Sequence, residues 1–285
     1  MLKVREKVTK IFRNRSTATV RTDFVSFSRR FCILDIRSRF QSPFLGLSTA
    51  TKCSVRCLLL LIGLLFHSAL AAETVPSFTA HYTLSRSGII VGETIRTLSP
   101  APNGEFIYQS VAHATGLLAR FLKDEMTERS RWVYQDDSIR PLNFLTQRHG
   151  GRKERITRQV FDWEKRVATH TSNGSSSQLP LPPNTQDKLS YQILLMHDLK
   201  KGLKKLEYII AESDKTKIYR FVIMGEEILT TAIGTLRTLK IRRIGDERNT
   251  TVWCAIDRHY LPVKLEQHTD GDGHLELKIA ATQGL

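Results

Sequence analysis

Three stretches carry residue types able to do chemistry. Val252 to Glu266 reads VWCAIDRHYLPVKLE and sets a thiol, a carboxylate, a guanidinium and an imidazole within a few residues. Cys254 and His259 would be a nucleophile and its base for acyl transfer, given a third, orienting group and an oxyanion site. The competing reading is structural: a strand through Ala255, a polar turn at Asp257-Arg258-His259, and a returning strand from Leu261 to Gln267. Asp bonds nearby backbone N–H groups in turns, and Pro262 stands at the start of a strand, where proline is tolerated. Side chains at opposite ends of a tight turn do not readily meet. The turn is therefore the preferred reading, with Cys254 a small strand hydrophobe.

Ser190, His197 and Asp198 are hydrolase residue types. On a helix Ser190 and His197 share a face but lie about 10 Å apart along the axis, beyond hydrogen-bond reach. The G-x-S-x-G elbow is missing. Asp270-Gly271-Asp272-Gly273-His274 resembles the start of a calcium loop, but its twelfth position is Ala281 instead of the bidentate Glu. An Asp-Gly hairpin turn explains it better. His259, His268 and His274 match neither a helix pair nor a zinc ribbon. The chain has neither a Walker loop nor a dinucleotide fingerprint. No catalytic residue, metal or cofactor is assigned. The Asn173 and Asn249 sequons matter only on a eukaryotic secretory route.

The elements that would position these residues are mostly strands. Phe78, Ala80, Tyr82 and Leu84 alternate with polar residues, as a strand with one buried face requires. Further strands are read at 89–98, 105–113, 126–135, 140–148, 152–162, 165–171, 206–212, 217–225, 227–233, 236–244, 250–256, 261–268 and 274–281. A helix-like piece stands at 116–124. Ser172–Ser177 and the prolines to Pro183 read as a loop. Asp187 looks like an N-cap for a main helix over about 187–201, with Leu189, Ile193, Met196 and Leu199 on one face. Gly202 ends it, and Lys200, Lys201, Lys204 and Lys205 complement its dipole or touch an anionic partner. Many short strands with one main helix predict an all-β fold: an antiparallel spiral β-roll or an open or partly closed barrel.

Not all of the chain belongs to that fold. Arg56 to Ala72 has a basic flank, an apolar run and Ala69 and Ala71 in an A-x-A spacing. That is the pattern of a secretory signal cleaved near Ala71 or Ala72, and the run is too short to span a membrane. Residues 1–55 are then a non-native or cleaved extension, either a start codon placed too far upstream or a basic transit or nucleic-acid arm. Residues 73–285 form one domain, exported and periplasmic. Residues 1–72 carry thirteen Lys or Arg against three Asp or Glu, which is +10 of the +15 total and leaves +5 for the rest. So mild a charge does not argue for nucleic acid. Cys254 is the one cysteine after residue 72. Stability must come from packing.

Several motifs in order resemble the domain-of-unknown-function 3108 family of bacteria. They are Tyr82-Thr83-Leu84 with Gly92, Phe161-Asp162-Trp163, Asp187-Lys188-Leu189-Ser190, Tyr219-Arg220-Phe221, and Trp253-Cys254-Ala255-Ile256-Asp257 leading to Tyr260-Leu261-Pro262-Val263, with Asp272-Gly273 beyond. The resemblance spans about 78–281. Ile256 stands where the family usually has proline, which loosens the turn. The resemblance implies an exported β-roll or open barrel, no established activity and no catalytic residues.

The expected role is a non-catalytic module that binds an apolar, lipid-like ligand or an envelope partner on the concave face of the roll. Tyr82, Phe106, Tyr108, Trp163, Phe221 and Trp253 are candidates for lining it, with core packing as the alternative for each. The other expectations are an envelope hydrolase or lyase with a site built from distant residues, and a purely structural envelope protein.

Overall fold

The computed structural model describes residues 75–116, 119, 125–135, 137–150, 154–213, 215–245, 248–269 and 273–285. The stretches read from sequence as an extension (1–55) and a signal (56–72), most of the helix-like 116–124 piece and residues 270–272 of the expected hairpin turn lie outside them.

Among the described residues fourteen strands form one antiparallel sheet. In chain order they are β1 Phe78–Arg86, β2 Ile89–Pro100, β3 Glu105–Ala114, β4 Glu125–Gln135, β5 Ser138–His149, β6 Arg155–Asp162, β7 Val167–Ser172 and β8 Ser175–Pro180, followed by helix α1 Ser190–Lys200. The second half runs β9 Leu206–Ala211, β10 Thr216–Thr231, β11 Gly234–Ile244, β12 Thr251–Ala255, β13 Leu261–Thr269 and β14 Gly273–Gln283. In space the order is β8 back to β1, then β14 back to β9. The first and last strands therefore pair in the middle, and β8 and β9 are the edges.

The period-two pattern sends one face inward. Phe78, Ala80 and Tyr82 of β1, Leu98, Tyr108, Trp132, Phe144, Ile241, Val252, Leu277 and Ile279 are all buried. Helix α1 runs inside this wall. Gln192 meets Arg96 of β2, Asp198 meets Tyr208 of β9, and Tyr191 packs on Tyr219 and Phe221 of β10. Its burial is not confined to the face expected from sequence. Ile193, Leu194, Leu195, Met196 and Leu199 are all buried, because a helix surrounded by sheet has no solvent side. Among the described residues no helix is long and apolar enough to cross a membrane.

The gap between the edges is bridged by the chain that leads into α1. Gln186 donates its N–H to Ile209 O and accepts from Ala211 N, a parallel bridge onto β9. From the other side, Gln159 of β6 donates to the carbonyls of Ala211 and Glu212, and the Gln186 amide donates to Ile139 O of β5. Outer backbone groups of β9 at Ile209 and Ala211 are satisfied this way without direct pairing of β8 to β9.

Three expectations need correction. The segment from Ser172 is a hairpin, not a loop: Asn173 and Gly174 both have positive φ (49° and 82°) and β8 pairs with β7. A two-residue turn of this kind matches strand twist, and an exposed strand needs only backbone partners. The strands read at 217–225 and 227–233 are one strand, β10. The register skips between Ile223 and Gly225, so the glycine (φ 128°) marks a bulge that bends the strand without ending it. The main helix starts at Ser190, a turn later than the 187 read from sequence.

Candidate functional site

The hydrolase residues are placed for structure. Cys254 is wholly buried, and burial pushes its thiol up to about 12, so little thiolate forms at neutral pH. His259 is in the left-handed region after a short 3-10 turn over Ile256–Arg258, with Nδ1 3.1 Å from Lys200 Nζ. The opening motif is thus a strand, a turn and a strand. Ser190 accepts the Asp187 N–H through its hydroxyl at the helix entrance. His197 is buried near the far end of α1, with Asp137 and Asp198 carboxylates each 3.6 Å away.

The aromatic candidates do not share one cavity. Tyr82 and Tyr108 are core residues, and the Tyr82 hydroxyl donates to Pro262 O at 2.9 Å. Phe106 stacks on Trp132 (centroids 4.7 Å apart), and Phe221 packs against Tyr191 and Tyr208. Trp253 is buried, but on the outer face of the sheet under covering side chains: it pairs with Lys264, whereas its neighbour Val252 pairs with inward Leu265. Its ring lies under Lys240 and Lys264, and its N–H donates to Glu227 Oε2 at 2.7 Å. Trp163 lines an open cleft of about 280 Å³ with Arg140 stacked on it and its N–H donating to Pro141 O.

A different set of residues forms a strongly charged concavity. In an up-and-down sheet alternate turns fall at one end. The C-terminal ends of β1, β5, β9, β11 and β13 lie at the end at which α1 begins. There a cleft of about 520 Å³ is lined by Lys188, Lys217, Arg243 and Arg248 against Glu128 and Glu212, with Tyr191 and Tyr219 as its aromatic wall. A second cleft of about 350 Å³ shares Glu128, Lys188 and Glu212, and adds Arg148, Arg155 and Phe144. The Arg243 guanidinium sits 4.0 Å over the Tyr219 ring. Tyr219 donates to Glu212 Oε1 at 2.8 Å, and Lys217 pairs with Glu212 Oε2 at 2.9 Å.

The two acids differ in character. Burial pushes the Glu128 carboxyl above its usual range, with Lys188 and Arg96 pulling only part of the way back. Burial acts on Glu212 too, but the hydrogen bonds from Lys217 and Tyr219 outweigh it and hold this carboxyl low. Behind the cleft Arg96 donates to Gln192 Oε1 at 3.0 Å and lies over the Tyr82 ring. Sequence reading missed Glu128, Glu212, Arg243 and Arg248 as a group. They come from three separate segments, around β4, after β9 and at the end of β11, and no spacing rule links them.

One set of possible metal ligands converges among the described residues. Glu266, His268 and His274 bring their ligand atoms within 4.8 Å of one another. His259, grouped with the two histidines in the sequence, sits instead by Lys200.

Residues 77–280 match the family described as "Protein of unknown function (DUF3108)". No curated protein matches the chain. Among solved structures, a β-barrel-like protein of domain of unknown function DUF1849 from Brucella abortus is similar, with a TM-score of 0.50 at 10% identity. The match covers 74% of this chain and 98% of that one, and it supports the barrel-like architecture alone.

Proposed function

Because the chain belongs to the DUF3108 family, whose description assigns no activity, we propose its role from the mouth of the roll: a non-catalytic, exported binding module for an amphiphile with an anionic head group. The observation that carries this reading is the cleft at the α1 entrance, where four cations stand against two acids beside an aromatic wall. Ile89, Ile90, Met126, Ile156, Ile218 and Ile244 are exposed at the same end of the sheet, so apolar contact surface lies next to the cationic cleft. The interior itself is filled by α1 and the aromatic core, which favours a ligand held at the mouth over one swallowed by the roll. Export is supported by the signal-like residues 56–72 directly ahead of the first strand.

The purified protein, mixed with phosphatidylglycerol vesicles, should sediment with them and unfold at a higher temperature than with phosphatidylcholine vesicles. Added salt should weaken the effect, and Lys188→Ala combined with Arg243→Ala should abolish it. Equal behaviour on the two lipids would sink the reading. Mass spectrometry of the native N-terminus should find a chain beginning close to Ala72 or Glu73.

An envelope hydrolase is the second reading, favoured by one observation. Glu128 and Glu212 line the same clefts with their carboxyls pushed in opposite directions, the arrangement an acid and a base require. Turnover of an ester or glycoside that disappears in Glu128→Gln, with vesicle binding intact, would replace the binding reading with this one.

A further inference from the structure

The β13–β14 pair carries a second candidate site, on the outer face of the strands beside the cationic mouth. His268 and His274 are direct cross-strand partners, and Glu266 lies two residues before His268 on the same face. Leu265 and Leu277 occupy the opposite, inward face, so the three ligand types project outward. The imidazole centroids are 4.3 Å apart, and the ligand atoms of all three residues fall within 4.8 Å of one another. We propose that Glu266, His268 and His274 form a binding site for a divalent transition-metal ion of the zinc, nickel or copper class.

The donor set selects the metal. Two imidazoles with one carboxylate suit these ions, whereas calcium and magnesium demand oxygen donors. Bonds of about 2.1 Å in a tetrahedron place ligand atoms about 3.4 Å apart, so closure needs only side-chain rotation of about 1 Å. A cross-strand imidazole pair also occurs as simple packing. Here the Glu266 carboxylate adds a third ligand atom within 4.8 Å of both imidazoles, which a simple histidine pair does not have.

The surroundings hold the ligands in place. The His268 N–H donates to Arg248 O, and His274 O accepts from the Ser87 N–H, so both backbones are tied to neighbouring segments. Lys264 binds Glu266 Oε1 at 2.6 Å and Glu276 Oε2 at 3.2 Å. This leaves Glu266 Oε2 to coordinate. The lysine charge opposes a metal cation, and the two carboxylates that grip it offset that repulsion. Three protein ligands leave at least one coordination position for water or an exogenous group.

The test uses the full chain, stripped of metal with a chelator and titrated with Zn2+ by calorimetry. One equivalent should bind at micromolar or tighter affinity and be lost in His268→Ala and in His274→Ala. Glu266→Gln should weaken it roughly tenfold or more, since a neutral amide oxygen replaces an anionic carboxylate ligand. His113→Ala, on a distant strand, should leave it unchanged. Co2+ should give visible absorption bands that the histidine variants lack. If a variant does not fold, the unmodified chain is treated with diethyl pyrocarbonate, and Zn2+ should protect His268 and His274 from modification. Identical titrations for all variants, or modification of both histidines regardless of Zn2+, would overturn the proposal.

Discussion

Asp187 and Ser190 exchange hydrogen bonds at the entrance to α1. The Ser190 N–H donates to Asp187 Oδ1 at 2.8 Å while the Asp187 N–H donates to the Ser190 hydroxyl at 2.9 Å. The Leu189 N–H adds a second donor to Oδ1 and the Ser130 hydroxyl holds Oδ2 at 2.6 Å. One carboxylate therefore caps the helix and ties it to β4, with its whole side chain out of contact with water.

That burial costs the charged form. Desolvation raises the Asp187 pKa to about 6 from 3.8, despite the three donors. A group whose folded value is raised contributes stability that is fully present below the unfolded value and is lost as pH climbs through the folded one. The wild type should lose stability between about pH 4 and pH 6 relative to Asp187→Asn, by of the order of 3 kcal/mol. Thermal midpoints of the two proteins from pH 4 to 7 measure this. A difference that stays flat with pH would contradict it.

Gly92 should resist any side chain. A Cβ there would lie 2.6 Å from the His113 carbonyl oxygen, which is backbone and cannot swing aside. Gly92→Ala should destabilise by about 1–3 kcal/mol, the usual cost of overpacking. At Gly88 the space is open and only a positive φ of 81° opposes substitution, so Gly88→Ala should cost about 1 kcal/mol. Urea denaturation of both variants ranks them, and the reverse order would refute the close-approach argument.

Cys254 should not react in the folded protein. At pH 8 iodoacetamide should leave the Cys254 peptide unlabelled until urea unfolds the chain, as mass spectrometry of that peptide would show. Rapid labelling under native conditions would reopen the thiol as a nucleophile.

Tyr82→Phe should remove the one hydroxyl that serves Pro262 O across 180 positions of sequence. A buried carbonyl left short of a donor costs about 1–3 kcal/mol. Because the bond joins β1 to β13, the loss should appear as a lower midpoint with no change in strand content by circular dichroism.

The alternation at Phe78–Leu84 and the run of short turns made the sheet-built class legible from residue types alone, because a half-buried strand imposes its period on the chain. The turn at Asp257-Arg258-His259 was legible for the same local reason. The β7–β8 hairpin was hidden because a polar strand buries nothing and leaves no periodic trace, although Asn173-Gly174 was its turn signal. The bulge at Gly225 looked like a strand end for want of any local mark of continuity.

Sequence by itself therefore determined the period, the turns and the family motifs. Tertiary structure decided that α1 lies inside the wall, that Trp253 faces out between two lysines, and that Glu128, Lys188, Glu212 and Arg243 share one cleft. It also decided that Glu266 joins His268 and His274. Strand period says that a side chain has a face, but register and closure choose which neighbours share it, and those depend on contacts between segments far apart in the chain.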